Sequence, residues 1–327
     1  MHCFLHIGVE KTGTTSLQNH LYKNQDILRK RKITLTKSFG YPNNNKLSLI
    51  SRNASKKNSL GHYLNFLGNS KLNRYLILRR AKGELKNANE HHKYIFSSEH
   101  LHSQLKTSKE IENLKENLES IGFKSFSIVV VLRPIIEMLR SRISTGFKNG
   151  NFENPIISDP WKYKVPHVYQ IKSTLKRWMD VFGEENLSAI KYSNESLLYD
   201  FFLLIDSEID TISFSPLENK NKSLSFEIMQ SVFLNKELLE KKLVDKKERR
   251  NLIKDLINHY GGEANQNKIY ISKKLQSKFN KAFKMDNDFI YDNFGFSIDS
   301  VCKTEEVQRI NTALLSKISH HIERTVL

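Results

Sequence analysis

Gly8-Val9-Glu10-Lys11-Thr12-Gly13-Thr14-Thr15-Ser16 stands between an apolar run, Cys3-Phe4-Leu5-His6-Ile7, and a segment in which Leu17 and Leu21 recur at helical spacing. Strand, glycine turn and helix is the order this pattern implies. Backbone N–H groups at such a turn, with the positive end of the helix dipole behind them, favour an anion. The stretch comes close to the phosphate-loop pattern G-x-x-x-x-G-K-S/T: Gly8 and Gly13 have its separation and Thr15 its hydroxyl position, but Thr14 stands where the lysine belongs. Lys11 lies at the tip of the loop instead. A nucleotide triphosphatase needs its lysine directly after the second glycine to reach the β and γ phosphates. An ammonium at Lys11 better suits an oxygen that gains charge as it departs.

Strand and helix signals continue to alternate outward from this loop. Tyr94 to Ser98 reads as a short strand that stops at Glu99, and an amphipathic helix is expected from about Lys109 to Ile121. Phe126 to Leu132 (FSIVVVL) is an unbroken β-branched run, the signature of a parallel strand buried on both faces. Arg133 ends it, Pro134 suits the first turn of a helix, and Ile135, Met138, Leu139 and Ile143 give that helix an apolar face. A loop with Pro155, Pro160 and Pro166 leads to a helix expected from about His167 to Phe182, and Leu187 to Tyr192 reads as another strand. The polar stretch 36–74, with Tyr63, Phe66 and Leu67 marking one short helix, is expected as a flexible insertion or surface excursion. The pattern predicts a P-loop-like three-layer α/β/α fold with a central parallel sheet over residues 1–222, and a mainly helical extension packed on it over 223–327.

Composition narrows the partners. The 52 Lys and Arg outnumber the 35 Asp and Glu, a formal charge of +17 that favours nucleic acid, anionic lipid, acidic glycan or nucleotide over neutral ligands. Hydrophobic residues at 39% supply enough apolar surface for a sizeable core. Cys3 and Cys302 form neither a disulfide framework nor a zinc-ligand cluster, which fits a reducing compartment. No charged leader precedes the first strand and no run approaches the roughly 18 apolar residues of a membrane span, so a soluble cytoplasmic protein is expected. His91-His92 and His100-x-His102 lack a third ligand at fixed spacing, and no metal is expected there.

A second motif reinforces the loop. Ser141 follows Arg133 by eight residues in Leu132-Arg133-Pro134-Ile135-Ile136-Glu137-Met138-Leu139-Arg140-Ser141. Arginine offers phosphate a planar, permanently charged fork, and a serine hydroxyl adds a neutral donor. Together with Lys11 to Ser16, this spacing resembles the sulfotransferases that use 3′-phosphoadenosine 5′-phosphosulfate (PAPS), in their bacterial carbohydrate branch, over about two-thirds of the chain. The resemblance implies PAPS as donor and the 3′,5′-bisphosphate PAP as product, with no metal. It implies Lys11, Thr12, Gly13, Thr14, Thr15 and Ser16 at the 5′-phosphosulfate, and Arg133 and Ser141 at the 3′-phosphate.

Ser97-Ser98-Glu99-His100-Leu101 resembles the segment in which a Glu or His takes the acceptor proton, a role that falls on Glu99, with His100 and His102 as competing bases. Arg177-Trp178, Val181-Phe182-Gly183 and Ile190-Lys191-Tyr192 resemble the helix and strand that complete the family's core; Tyr192 packs near adenine or in the core. Asn219-Lys220-Asn221-Lys222-Ser223-Leu224-Ser225 resembles an N-x-S-L-S loop in which Lys222 and Ser223 close over a phosphate, or is simply a solvated loop. The implied reaction is in-line displacement at sulfur, Glu99 removing the proton while Lys11 and the loop amides stabilise the leaving oxygen. The implied acceptor is a hydroxyl, with an amine second, on a carbohydrate such as a bacterial surface glycan. Its negative charge would suit a basic protein, and residues 36–74 and 146–166 are the places where it would be read. A magnesium-dependent kinase or triphosphatase shares the fold but needs neither the displaced lysine nor the Arg133–Ser141 pair. A noncatalytic basic module for nucleic acid or an anionic surface explains the charge but not the loop, and no nucleic-acid partner is expected.

Overall fold

The structure, a computed structural model, describes residues 1–53, 71–86, 92–162, 169–208, 223–264, 268–300 and 310–326. The described elements run β1 (His2–His6), α1 (Thr14–Lys23), α2 (Gln25–Lys30), β2 (Ile33–Leu35), α3 (Lys46–Ser51), α4 (Lys71–Glu84), β3 (Lys93–Ser97), α5 (Glu99–Gln104), α6 (Ser108–Ser120), β4 (Ser125–Leu132) and α7 (Ile135–Lys148). They continue through α8 (Ile171–Phe182), β5 (Leu187–Lys191), α9 (Leu197–Ile205), α10 (Phe226–Leu234), α11 (Lys236–Lys242), α12 (Lys246–Ala264), α13 (Lys273–Ala282), α14 (Lys284–Phe294) and α15 (Thr312–Val326). By compactness the chain forms two units: Met1–Arg133 with Val165–Asn219 and Asp288–Ile298, and Pro134–Lys164 with Lys220–Asn287 and Asp299–Leu327. The units interleave along the chain, so they do not coincide with a split at residues 222 and 223.

The first unit holds a five-stranded sheet in the order β2-β3-β1-β4-β5. Every neighbouring pair is parallel, β1 lying between β3 and β4 with His6 opposite both Ser97 and Val129. Helices cover both faces, which is why the strands read as apolar runs rather than alternating ones. On one face Phe4, Ile95, Val129, Val131 and Ile190 pack with Leu17 and Leu21 of α1, Leu28 of α2, and Phe201 and Phe202 of α9. On the other, Tyr94 and Phe96 meet Phe123 edge-on, and Phe126 meets Phe182 of α8, which stacks on Trp178. The fold is therefore the three-layer α/β/α arrangement read from the sequence. Helix α6 starts at a capping box, Thr107 and Glu110 each accepting the other's backbone N–H.

Some expectations need correction. Residues 36–53 are built into the core rather than forming a flexible or surface insertion: Phe39 and Leu47 are fully buried, and Glu84 of α4 accepts the N–H groups of Lys37 and Ser38 at 2.8 and 3.0 Å. Apart from the exposed Tyr41 its few apolar side chains are inside, and hydrogen bonds hold Ser38, Asn44, Ser48 and Ser51, while Thr36 Oγ1, Asn43 Oδ1 and two guanidinium nitrogens of Arg52 are buried with no hydrogen-bond partner among the described residues. Tyr63, Phe66 and Leu67 lie outside the described residues. Helix α8 starts at Ile171, and residues 163–168, with Pro166 and His167, are again outside the described residues.

In the second unit α10 packs on α12 and α15, burying Val232, Leu256, Ile318 and Ile322. No strand occurs among its described residues, as the charged helical pattern after residue 223 implies.

Trp178 is fully buried, and truncation leaves a cavity in the layer that α8 lays on the sheet. Trp178→Ala should cost about 3–5 kcal/mol of stability, read as a lowered urea midpoint.

Candidate functional site

In a parallel sheet all strands end on the same edge, and open α/β sheets bind ligands outside those carboxyl ends. Four adjacent strands, β3-β1-β4-β5, each deliver a singled-out residue there. β1 runs into the glycine loop, β3 into Ser98 and Glu99, β4 into Arg133 and β5 into Tyr192.

The loop's residue choices follow from its geometry. A Cβ on Gly8 would come within 2.7 Å of the Thr14 side chain, and one on Gly13 within 3.0 Å of Tyr192 and Leu197. Gly13 also has φ +79°, a conformation that favours glycine. Lys11 takes φ +66° without that freedom, at a cost of about 1–2 kcal/mol that the surrounding packing must offset. Thr12 is buried and donates its hydroxyl to the carbonyl of Val9 at 2.6 Å, so its side chain braces the turn rather than facing a ligand. Thr14 is buried too, Ser16 half-buried and Thr15 exposed. Helix α1 begins after Gly13 with no side-chain cap and no acidic residue in its first turn. The amides of that first turn and the positive helix end are left to an anion.

Arg133 closes one side. Its Nη1 donates to the carbonyl oxygen of Lys11 at 3.1 Å, and its guanidinium carbon lies 4.8 Å from the ring centre of Tyr192. Tyr192 is half-buried against Arg133 and Gly13, its amide donates to the Leu132 carbonyl at 2.7 Å, and its hydroxyl bonds to Asn194. A guanidinium stacked on an aromatic face keeps its N–H edge for hydrogen bonds.

The end of β3 is held by a buried polar net. Asn44 acts as an extra strand partner: its N–H donates to the Ser97 carbonyl at 3.1 Å and its Oδ1 accepts the Ser97 N–H at 2.8 Å. His6 Nδ1 hydrogen-bonds with Ser97 Oγ at 2.8 Å, and the Gln18 amide donates to the carbonyl and hydroxyl of Ser97, both at 3.2 Å. Burial pushes the His6 imidazole down to about 4, so it is neutral near pH 7, and its Nε2 has no hydrogen-bond partner among the described residues. Beyond this net Ser98 caps α5 by accepting the N–H of His100 at 3.2 Å. Glu99 is the first residue of that helix, half-buried, with no side-chain hydrogen bond or ion pair among the described residues. His100 is half-buried, whereas His102 is buried and so closed to a substrate.

The other singled-out residues belong to the second unit. Ser141 lies on α7, and Arg140 beside it pairs with Glu137. Ser144, one turn on from Ser141, accepts the N–H of Leu224 at 2.7 Å and so ties the segment after residue 222 to α7. Ser223 is exposed there, Ser225 caps α10, and Lys222 lies outside the described residues. Sequence reading missed Asn44, His6, Gln18 and Ser144, since polar residues that partner distant backbone follow no periodic pattern. It also missed the Asp255, His259 and His321 side chains, whose ligand atoms lie within 4.8 Å of one another. Asp255 and His259, one helical turn apart, were the available signal.

No family model matches this chain, and none of the curated proteins does. Among solved structures it aligns with a sulfotransferase from Alicyclobacillus acidocaldarius at 12% identity, over 88% of this chain and 94% of that one, with a TM-score of 0.38. A likeness that slight carries no argument, and the reading of function rests on the residues.

Two outcomes test the site's construction. Gly13→Ala should destabilise the loop by about 1–2 kcal/mol, seen in thermal melts, and weaken inorganic phosphate or sulfate binding measured by calorimetry. An unfolded histidine titrates near 6.5 and folded His6 near 4, so the unfolded chain holds the extra proton between these values. Stability from His6 is complete above about pH 6.5 and is lost, by up to about 3 kcal/mol, as pH falls toward 4. Urea midpoints across that window should fall less steeply in His6→Gln.

Proposed function

We propose that the chain transfers a sulfuryl group from PAPS to a hydroxyl, with an amine as the second choice, of a carbohydrate acceptor. The observation that carries this reading is the Arg133 guanidinium 3.1 Å from the Lys11 carbonyl. It brings a phosphate-seeking fork from the end of β4 to the loop at the end of β1, which suits a donor whose one ribose carries phosphate on both its 3′ and 5′ oxygens.

The residues present fit such a donor. The uncapped start of α1 and the displaced Lys11 suit its 5′-phosphosulfate, with the amides of Gly13, Thr14, Thr15 and Ser16 as donors and Thr12 bracing the turn. Arg133 suits the 3′-phosphate, and Ser141 is assigned beside it on spacing alone. Tyr192 supports the guanidinium. Ser223 and Lys222 are assigned to a phosphate on their resemblance alone.

In the reaction the acceptor oxygen forms a bond to sulfur as the bond from sulfur to the 5′-phosphate oxygen breaks. Glu99 takes the acceptor proton, and Lys11 with the loop amides stabilises the oxygen that leaves with the bisphosphate. Glu99 suits the base because its carboxylate has no partner among the described residues, while His102 is buried. His100 stands as the alternative base.

The excess of 52 basic over 35 acidic residues suits a polyanionic donor and an acidic glycan acceptor, such as one destined for a bacterial surface. Two cysteines, Cys3 buried, accord with a reducing cytoplasm. No described helix is long and apolar enough to cross a membrane.

Calorimetry without magnesium should find PAP bound at least tenfold more tightly than ATP or AMP. A preference for magnesium ATP would instead establish a kinase or triphosphatase. With PAPS and carbohydrate acceptors, Lys11→Ala and Glu99→Gln should each lower kcat by about 10²–10³. Glu99→Gln should keep PAP affinity within about twofold, and Arg133→Ala should lose most of it. Full turnover in either catalytic variant removes that residue from the mechanism, and a Glu99→Gln enzyme that is still active moves the base to His100.

A further inference from the structure

The second unit carries a cluster that the transfer reaction does not use. Asp255 and His259 lie one turn apart on α12, facing the same way, and His321 approaches from α15, which packs against α12. His321 Nε2 lies 2.8 Å from Asp255 Oδ2, and His259 Nδ1 lies 3.2 Å from Asp255 Oδ1. The two imidazole rings are 4.9 Å apart, centre to centre. One carboxylate thus meets two imidazole nitrogens, in a place open to solvent through His259, whose side chain is 56% exposed. From α12 the Tyr260 hydroxyl reaches the other nitrogen of His321, Nδ1, at 3.3 Å.

We infer that Asp255, His259 and His321 form a binding site for a divalent transition-metal ion of the zinc class, which ties α12 to α15. The donor set points to the metal. Two imidazoles and one carboxylate suit zinc, cobalt, nickel or copper, whereas calcium and magnesium take oxygen ligands almost alone. Zinc at about 2.0–2.2 Å from tetrahedral ligands spaces them roughly 3.3–3.6 Å apart. The two imidazole nitrogens approach different oxygens of Asp255, Oδ2 at 2.8 Å and Oδ1 at 3.2 Å, and with one ligand atom taken from each residue all three lie within 4.8 Å of one another. Side-chain rotations on fixed helices would close the shell, His259 Nδ1 exchanging its 3.0 Å contact with the Asp255 backbone carbonyl for the ion. Three protein ligands leave the fourth position to water on the exposed side.

Tyr260 completes the arrangement. A ligating histidine whose other nitrogen is held by a hydrogen bond has its ring orientation and tautomer set, and this bond presents Nε2 of His321 toward Asp255. His320, next in sequence, is directed elsewhere, its Nδ1 lying 3.9 Å from Glu323. It offers a control that changes the histidine count but not the site.

The test uses the full chain stripped of metal by a chelator. Zinc should bind one ion per chain in competition with a chromophoric chelator, and should raise the thermal midpoint, since an ion that binds the folded state alone stabilises it. Cobalt should give visible absorption of the intensity that tetrahedral coordination produces. Affinity for zinc should fall at least tenfold in His259→Ala and in His321→Ala, with the cobalt spectrum lost, while His320→Ala behaves as the parent. Unchanged affinity in both ligand variants, or no stabilisation of the parent by zinc, overturns the proposal. Should His321→Ala fold poorly, His259→Ala decides alone, because its side chain is mostly exposed. These readouts need neither PAPS nor an acceptor, so they stand apart from the assignment of sulfuryl transfer.

Discussion

Parallel pairing of β1 between β3 and β4 is the constraint on which the rest of the site depends. It brings the ends of these strands to one edge, with His6 of β1 opposite Ser97 and Val129. A parallel ladder stops abruptly there, and backbone groups that leave it need partners. This chain supplies them internally: Asn44 takes both backbone groups of Ser97, Ser98 donates its amide to the His6 carbonyl at 3.0 Å, and Ile7 donates to Val129 at 3.0 Å. The edge is thus rigid up to the point at which the glycine loop begins. A loop that leaves a rigid edge has its amides aimed before any ligand arrives, and that reduces the ordering cost of binding.

The loop is rigid for a second reason. Thr12 and Thr14 turn inward on it, Gly8 leaves room for Thr14, and Gly13 leaves room for Tyr192 and Leu197. With these side chains packed beneath, Lys11 is held in a left-handed conformation that a free chain would seldom adopt. Arg133 bonds the carbonyl of this strained residue and rests on Tyr192. Strain at the residue proposed to meet the departing oxygen, opposed by a bond from the residue proposed to hold the 3′-phosphate, joins the two ends of one donor site through a single peptide group.

In the second unit the helices are charged on the outside, and their apolar stripes meet along α10, α12 and α15. The same register that buries Leu256 and Ile318 brings Asp255, His259 and His321 together nearby. Helix packing fixes side-chain rows on both sides of a contact, so a polar cluster next to an apolar seam is as well positioned as the seam itself.

The sequence alone determined the layers. Unbroken apolar runs, a glycine turn before a helix and alternating helix signals are local patterns, and β1, α1, β3, α6, β4, α7 and β5 follow them within a few residues. The places of Lys11 in the loop after β1, and of Glu99 and Arg133 just past β3 and β4, were legible as well, because ligands bind outside the carboxyl ends of strands in such sheets; their roles are proposals. Only the tertiary structure decided that residues 36–53 belong to the core, that Asn44 and His6 brace the end of β3, that Tyr192 supports Arg133, and that His321 meets Asp255. These pairings join residues far apart in the chain, from 53 positions between Asn44 and Ser97 to 91 between His6 and Ser97. A single sequence records periodicity within a segment and says nothing of which distant polar atoms will be left facing one another once the segments pack.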